Sequence, residues 1–543
     1  MLTNQVPDQG FPFRPLPLCV ESPINVQNLE RLLFFHPCGA TRHFLVSGFR
    51  YGFDIGFRGG FRDAHSRPRN LRSALDNADL VSDAIRKELV RGHTAGPFTH
   101  APFTFTHCSP IGSALKPDGS VRLILDLSSP RGNSVNNGIS KEQFACKYAK
   151  FDDAINIVLS LGPGAFMGKV DIKHAFRVCP VRPDQWPLLC FRWAGHFFTD
   201  TRLPFGSRSS PFIFNTFAHA LAWMAVWVMG VSILIHYLDD FFFANDSRGH
   251  CRTDMDLFLE LCMCLGVPIA SDKTVGPATT LVFLGIEIDS RAMCVRLPLE
   301  KLQALREKIR QWVGKKKIQK KDLLSLIGSL SFACKVVKPG RMLLRRLIDL
   351  STTVTSDLFF VHINADSRDD IIWWDRFLPE WNGVSYILPP PVTADSLSLF
   401  TDASDLGFGG VFGSRWYAAL WRDGWFPGQT HINARELFSV WVAVFLWGNL
   451  LSGREIIIFT DNQTVVDVWC KGVSTDSRML RIIRNIFFYA AQRNINILVF
   501  HIEGCLNIDA DLLSRLQVPE FLQRNTMADL ESTPVPDDVW LDL

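Results

Sequence analysis

Two adjacent aspartates, Asp239 and Asp240, interrupt a strongly apolar part of the chain. No Asp, Glu, Lys or Arg occurs over 209–238, and three phenylalanines follow Asp240. The β-branched and aromatic residues on both sides predict a hairpin with the two acids at its tip. Most aspartate pairs at turns only form the turn. Two carboxylates held by buried strands, however, repel each other unless a cation compensates their charge.

A membrane span is the alternative interpretation of segment 209–238. Polar and glycine residues interrupt it, among them Asn215 and Gly230. The segment also divides into a helix over 211–229 and a strand over 231–237. We therefore expect no membrane association.

Composition sets the broad class of protein. The chain has 543 residues, of which 47% are hydrophobic and 20% charged, so it is long enough for several domains and too apolar for disorder. Its net charge of +3 neither supports nor excludes nucleic-acid binding. The 13 cysteines are scattered without a CxxC motif, and the N-terminus lacks the apolar core of a signal peptide. We expect an intracellular protein, in the cytoplasm, the nucleus or both.

A third acid, Asp171, ends the strand predicted over 166–172. Asp171, Asp239 and Asp240 would meet at two strand ends. Three such carboxylates suit two Mg²⁺ ions, which prefer oxygen ligands and bridge to phosphate. Two-metal phosphoryl transfer is the chemistry that such a site serves.

These acids stand among blocks that resemble, in order, those of reverse transcriptases. The blocks are LKPDGSVR at 115–122, LPFGSRSSP at 203–211, YLDD at 237–240 and FLG at 283–285. Each block alone is weak, but their common order makes the resemblance specific.

The resemblance implies a right-hand polymerase with fingers, palm and thumb that copies RNA into DNA with Mg²⁺, or with Mn²⁺. It assigns the catalytic metal ligands as Asp171, Asp239 and Asp240. It assigns nucleotide contacts to Lys116, Arg122, Phe176, Phe205, Gly206 and Lys273. Phe205 departs from retroviral enzymes, which carry Gln there. Core packing is the alternative for Phe176 and Phe205, and simple solvation for Lys273.

A second set of acids lies in the C-terminal part of the chain. Asp402 and Asp461 each follow a threonine at the end of an apolar strand. Glu436 begins a predicted helix, where a capping box is its alternative role. Asp511 lies in a further predicted helix, whose N-terminus it would complement.

The order Asp402, Glu436, Asp461, Asp511 resembles the acids of ribonuclease H, and His501 matches the mobile histidine of that family. The resemblance implies a second two-metal site that cleaves the RNA strand of an RNA–DNA hybrid. Such a hybrid is recognised by its shape and its 2′-hydroxyls.

Together the patterns predict an α+β multidomain protein: a right-hand polymerase, a connection and an α/β ribonuclease H-like domain. We expect an N-terminal extension that supports the fingers at 1–95, followed by the fingers and palm at 96–290. The basic helices of the thumb and connection, ending in a proline-rich linker, are expected at 291–395. The ribonuclease H-like domain is expected at 396–517 and a flexible tail at 518–543.

Segments 125–139 and 510–515 resemble tyrosine-recombinase retrotransposons of the DIRS and Ngaro groups. No recombinase or protease motif accompanies them, so the chain resembles the polymerase and nuclease part of a truncated or separately encoded frame, with a separate recombinase as partner. The expected ligands are an RNA template, a DNA primer, an RNA–DNA hybrid and dNTPs.

A catalytically inactive, host-retained nucleic-acid-binding protein is the alternative function. It is disfavoured because all seven expected acids are present. A polymerase of the non-LTR or telomerase type is disfavoured because those enzymes rarely carry this nuclease in this arrangement.

Overall fold

The structure is a computed structural model that describes residues 10–60, 68–116, 118–381, 383–387, 398–422, 431–471, 474 and 476–540. Pro117 and the prolines at 389–391, which the sequence analysis used, lie outside these residues. The chain divides into two units, Met1–Leu284 and Gly285–Leu543.

The first unit mixes helices with short strands. Its helices are α1 (Val26–Leu32), α2 (Gly39–Tyr51), α3 (Arg72–Leu75), α4 (Ala78–Val90), α5 (Phe151–Leu161), α6 (Ser210–Trp227) and α7 (Arg248–Leu265). Its strands are β1 (Thr94–Phe98), β2 (Ile111–Leu115), β3 (Val121–Leu125), β4 (Phe166–Asp171), β5 (Cys190–Trp193), β6 (His196–Asp200), β7 (Leu234–Tyr237), β8 (Asp240–Asn245), β9 (Val275–Ala278) and β10 (Thr280–Phe283).

A four-stranded antiparallel sheet, in the order β7-β8-β4-β9, carries the acids of this unit. The predicted hairpin is confirmed as β7 and β8, and the helix predicted over 211–229 is α6. The sheet is anchored by fully buried rings such as Phe241 and Phe243 on β8. Gly230, with φ at +82°, lies between α6 and β7, so the apolar segment does not form one continuous helix.

The N-terminal residues pack around the other elements of this unit. The backbone N–H of Asn25, before α1, donates to Leu265 at the end of α7. Gly52, with φ at +89°, passes so close to Arg182 that a Cβ would lie 2.5 Å from its backbone. Leu71, before α3, donates to Ile111 on β2, which forms a two-stranded hairpin with β3. The last of these contacts joins the N-terminal residues to the hairpin that carries the block at 115–122.

The second unit is also mixed. Its helices are α8 (Leu299–Val313), α9 (Lys320–Ala333), α10 (Arg345–Thr352), α11 (Ala365–Glu380), α12 (Ile432–Leu451), α13 (Gln463–Lys471), α14 (Ser477–Gln492), α15 (Ile508–Ser514) and α16 (Val518–Arg524). Its strands are β11 (Ile286–Asp289), β12 (Cys294–Arg296), β13 (Lys317–Gln319), β14 (Phe360–His362), β15 (Val384–Tyr386), β16 (Ser398–Ala403), β17 (Gly407–Phe412), β18 (Arg415–Leu420), β19 (Glu455–Thr460) and β20 (Asn496–His501).

A five-stranded sheet, in the order β18-β17-β16-β19-β20, forms the core of the C-terminal part. Strands β16 to β18 are antiparallel, whereas β19 pairs in parallel with both β16 and β20. The described elements agree with the α/β fold predicted for this part: three strands are followed in turn by α12, β19, α13, α14, β20 and α15. Parallel pairing aligns the carboxyl ends of β16, β19 and β20 at one edge of the sheet.

Helix α12 packs against this sheet. Of the described helices it is the one long and apolar enough to cross a membrane, but 72% of its apolar window is buried inside the protein. That burial is typical of a core helix.

Two sequence predictions are wrong. The sequence over 281–288 predicts a single strand, but it forms two strands, β10 and β11, separated at Leu284, whose φ is +47°. The described part of the tail, which was predicted to be flexible, is packed: the indole N–H of Trp416 donates to Asp529 at 2.7 Å and that of Trp441 to Val539 at 2.8 Å. Trp540 lies 5.3 Å, centroid to centroid, from Phe438 on α12.

Two candidate active sites

The first acid cluster consists of Asp171, Asp239 and Asp240. Asp171 is the last residue of β4 and lies directly opposite Asp240, the first residue of β8. Asp239 lies in the turn between β7 and β8, and its carbonyl accepts a hydrogen bond from Ile172 N–H at 3.1 Å. Strand pairing therefore brings Asp171 to the adjacent pair Asp239 and Asp240, which is distant from it in sequence.

The turn that carries Asp239 is strained. Leu238 has φ at +52°, in the left-handed region. A side chain with a Cβ costs about 1–2 kcal/mol in that region. Contacts around the turn must therefore hold it in place.

Two lysines are paired with this cluster. Lys273 Nζ lies 3.2 Å from an Asp171 carboxylate oxygen, and Lys169 Nζ lies 3.6 Å from one of Asp240. Lys273 is 58% exposed, so it is solvated as well as paired with Asp171. Lys169 was not predicted from the sequence. Its position two residues before Asp171, on the same face of β4, was the available signal.

Burial and mutual repulsion disfavour ionisation in the first cluster. Burial raises the pKa of Asp239 to about 6, and the charges of Asp171 and Asp240 add to the increase. Burial likewise raises the pKa of Asp171, although Lys273 opposes the change. Carboxylates in this state favour a nearby cation.

Three predicted nucleotide-binding residues form a stack, and one of them, Phe176, follows Asp171 by five residues in the chain. The Arg122 guanidinium lies 4.9 Å from the Phe205 ring centroid, and the Phe205 ring lies 5.1 Å from that of Phe176. Both phenylalanines are half-buried. Phe176 also packs against the hydrophobic core, as the core-packing alternative predicts. Together the three side chains form two neighbouring aromatic rings with a guanidinium over one of them.

Gly206 and Lys116 lie on the elements next to this stack. Gly206 has φ at +119°, and a Cβ there would lie 2.0 Å from the Leu125 carbonyl oxygen, so only glycine fits. Lys116 is exposed at the end of the β2–β3 hairpin, where its N–H donates to Ser120.

The second acid cluster consists of Asp402, Glu436 and Asp461. Each offers one carboxylate oxygen, and these oxygens lie within 4.8 Å of one another, which no other three acid, histidine or cysteine side chains achieve among the described residues. Asp402 lies on β16, Asp461 follows β19, and Glu436 reaches them from α12. The cluster therefore lies where the parallel strands end.

The capping-box alternative for Glu436 is wrong. Helix α12 begins at Ile432 with His431 as its N-cap, so Glu436 lies beyond the first turn and points inward, 4% exposed. Its Oε2 is buried and has no hydrogen-bond partner among the described residues.

Ionisation is costly in the second cluster too. Burial raises the pKa of Glu436 well above its usual value, and the charges of Asp402 and Asp461 add to this. Burial raises the pKa of Asp402 to about 6, with contributions from Asp461 and Asp511. No lysine or arginine forms an ion pair with these three acids within the described part of the chain.

Asp511 and His501 lie at the periphery of this cluster. Asp511 is in the first turn of α15, as the helix-terminus alternative predicts, and is paired with Arg515 at 2.8 Å. It is not among the acids that come within 4.8 Å of one another. His501 is exposed at the end of β20, with its Nε2 3.1 Å from the Asp461 carbonyl oxygen. One contact that was not predicted from the sequence joins α12 to the residue after Asp461: the Asn462 side-chain amide donates to Asn433 Oδ1 at 2.9 Å.

Comparison with known proteins bears on the first unit most directly. Residues 115–288, which include the first acid cluster, match the model of the family described as reverse transcriptase (RNA-dependent DNA polymerase). This part of the chain is similar to reverse transcriptase domains.

The relatives are retroviral. The chain is 23% identical over 225 residues to the Pro-Pol polyprotein of Simian foamy virus type 1, a match covering 41% of this chain and 18% of the relative. It is 24% identical over 282 residues to the Gag-Pro-Pol polyprotein of Human T-cell leukemia virus 2, covering 48% of this chain and 18% of the relative. The chain thus spans less than a fifth of these curated relatives.

Among solved structures, a foamy viral protease-reverse transcriptase dRH in complex with double-stranded DNA is 16% identical, with a TM-score of 0.48, over 90% of this chain and 84% of that chain. The same viral enzyme in complex with an RNA/DNA hybrid is 15% identical, with a TM-score of 0.45, over 91% and 65% of the two chains. The two units of mixed helices and strands described above agree with the predicted α+β multidomain fold class.

Proposed function

We propose that the chain is an RNA-directed DNA polymerase that also degrades the RNA strand of the hybrid it makes. The observation that carries this proposal is the presence of two separate clusters of buried and half-buried carboxylates, one in each unit. The first lies within the segment that matches the reverse transcriptase family. The second lies at the carboxyl ends of parallel strands and has the acid order of ribonuclease H.

The residues present fit divalent cations. Glu436 Oε2 is a buried carboxylate oxygen without a described partner, and the raised pKa values of Asp239 and Asp402 show that burial and neighbouring carboxylates disfavour ionisation, which a bound cation would offset. Oxygen-only donor sets suit Mg²⁺ or Mn²⁺. Asp171, Asp239 and Asp240 would hold one pair of ions, and the second acid cluster with Asp511 the other. Bound there, the ions would supply charge stabilisation for phosphoryl transfer.

In the polymerase, the chain's own residues position the nucleotide. The rings of Phe176 and Phe205 offer a wall against the sugar and base of a dNTP, and Arg122 and Lys116 lie on the hairpin that would hold its triphosphate. Lys273, already beside Asp171, is positioned to give a proton to the departing pyrophosphate. An RNA template and a DNA primer complete the substrate.

In the nuclease, the second acid cluster faces the edge of the five-stranded sheet. His501 is exposed and hydrogen-bonded next to Asp461, from which it can reach a scissile phosphate or its leaving group. The hybrid would be recognised by its shape and its 2′-hydroxyls rather than by base sequence.

The test is extension of a DNA primer on an end-labelled RNA template in Mg²⁺, with DNA product and RNA fragments resolved together. Asp239→Asn is expected to abolish synthesis and leave cleavage of a preformed hybrid, whereas Asp461→Asn has the opposite effect. Matched controls are two exposed acids outside the clusters, Asp246→Asn after the far end of β8 and Asp405→Asn after β16, which should leave both reactions unchanged.

Well-folded wild type that binds the hybrid but does neither reaction, with Mg²⁺ or with Mn²⁺, would contradict the proposal. That result would favour the inactive nucleic-acid-binding protein instead. Loss of both reactions in either single variant would contradict the assignment of one reaction to each cluster.

The proposal extends to the type of element. Segments 125–139 and 510–515 support a tyrosine-recombinase retrotransposon of the DIRS or Ngaro group, in which a separately encoded recombinase performs integration. Sequencing the genomic copies tests this: a tyrosine recombinase frame in the same element supports the assignment, and an integrase frame with long terminal repeats contradicts it.

A further inference from the structure

Two histidines lie behind the strained turn of the first acid cluster. His236, on β7, is 6% exposed, and its Nδ1 lies 3.3 Å from the carbonyl oxygen of Leu238. Its Nε2 lies 3.1 Å from Nδ1 of His219, which is exposed on α6. The two rings thus connect the protein surface to the turn that carries Asp239.

The direction of these hydrogen bonds follows from chemistry. A carbonyl oxygen can only accept, so His236 must carry its hydrogen on Nδ1. A neutral ring then has a lone pair on Nε2, which requires His219 to donate from its Nδ1. Burial lowers the pKa of His236 to about 4, so the ring is neutral near pH 7. One arrangement of protons therefore satisfies both contacts.

The contact is made at the residue that most needs support. Leu238 has a positive φ, and its carbonyl immediately precedes Asp239. His236 is itself fixed by stacking on Phe241, with centroids 5.2 Å apart and planes 20° apart. A rigid donor at this carbonyl limits rotation of the peptide that sets the direction of the Asp239 side chain.

We propose that His236, oriented by His219, is a positioning residue that holds the Leu238–Asp239 peptide in the conformation required for DNA synthesis. This inference rests on the proposed polymerase function. Neither histidine touches the substrate; they act through the turn.

Two substitutions at His236 separate hydrogen bonding from packing. His236→Phe keeps a ring against Phe241 but removes the donor, whereas His236→Asn loses the ring but places an amide N–H where Nδ1 was. We expect His236→Phe to lower kcat for DNA synthesis about tenfold or more, with KM for dNTP changed less than twofold. His236→Asn should remain within about threefold of wild type. The reverse order, or equal activities, would show that the ring only packs.

The same pair of changes at His219 tests the outer contact. His219→Asn keeps a donor at the position of Nδ1 and should be close to wild type. His219→Phe should lower kcat by less than His236→Phe does, because His236 keeps its own bond to Leu238. Equal loss in the two His219 variants would overturn the role of His219.

A measurement of the histidine tautomer, which needs no polymerase activity, keeps the inference testable. In protein with ¹⁵N-labelled histidine at pH 7.5, the His236 signal, identified by its loss in His236→Asn, should be that of the Nδ1–H tautomer. The Nε2–H tautomer or a cationic ring would overturn the proposed contact. Wild type with the expected tautomer but no DNA synthesis would contradict the proposed function and leave the contact itself supported.

Discussion

The two acid clusters differ in what stands beside their carboxylates. In the first, Lys273 and Lys169 are paired with Asp171 and Asp240, so part of the negative charge is compensated by side chains. In the second, three carboxylate oxygens lie within 4.8 Å of one another, and no lysine or arginine forms an ion pair with them among the described residues, although the charge of Arg515, which is paired with Asp511, also acts on Asp402. Two sites suited to the same cations can therefore differ in how much they destabilise the fold when those cations are removed. The second cluster should depend more strongly on bound metal.

The largest expected effect is on cleavage by the Glu436→Gln variant. The amide keeps the volume of Glu436 but removes a ligand charge, so cleavage of a labelled hybrid should fall about a thousandfold. The same change removes repulsion with Asp402 and Asp461, so the metal-free variant should melt at a higher temperature than wild type. A variant that loses cleavage and also becomes less stable in EDTA would break the comparison.

The dependence of stability on pH is the next largest effect. The pKa of Asp402 is about 6 in the fold, above its unfolded value of about 3.9. A raised pKa stabilises the fold below the unfolded value, and this contribution is lost as the pH rises through about 6. The difference corresponds to about 3 kcal/mol.

Urea unfolding in EDTA at pH 5 and pH 7.5 measures this dependence. Asp402→Asn should lose less stability than wild type between the two pH values. Asp239→Asn reports the same quantity for the first cluster, because Asp239 also has a pKa of about 6. Parallel pH profiles for wild type and Asp402→Asn would show that Asp402 does not carry the effect.

Binding of Mg²⁺ should raise the free energy of unfolding by offsetting the repulsion among the carboxylates of the second cluster. A hundredfold excess of a ligand over its Kd stabilises the fold by about 2.7 kcal/mol. Thermal unfolding with and without Mg²⁺ should show that Glu436→Gln removes more of this increment than Asp171→Asn does. An equal loss in both variants would mean that the lysines of the first cluster make no difference to metal dependence.

The smallest effect concerns Lys169. Its ion pair with Asp240 is partly exposed and worth at most about 1 kcal/mol. Lys169→Met should therefore lower the Mg²⁺ concentration needed for half-maximal DNA synthesis by about threefold. A higher Mg²⁺ requirement in this variant would show that Lys169 supports the site instead of competing with the cation.

The sequence predicted the clusters better than their surroundings. Asp171, Asp402 and Asp461 were predictable because a polar residue that ends an apolar strand lies at a sheet edge. Glu436 was ambiguous because its distance from the helix start decides between a cap and an inward position. Only the structure shows that α12 begins four residues earlier, at Ile432.

The tail shows why the rest was not predictable. Its prolines and acids are typical of a flexible segment, yet Asp529 and Val539 accept hydrogen bonds from tryptophans about a hundred residues earlier. The ion pair between Lys169 and Asp240 likewise joins positions distant in sequence. Such contacts depend on tertiary pairing, for which local composition gives no signal.

The stack of Arg122, Phe205 and Phe176 has a consequence for how this site can evolve. The three side chains touch in series, so a change at Phe205 alters the support of both neighbours at once. A diverged relative of this chain with glutamine at 205 would leave Arg122 without its aromatic partner and Phe176 with a space beside it. Substitutions at these three positions should therefore arise together in diverged relatives, as one inherited set.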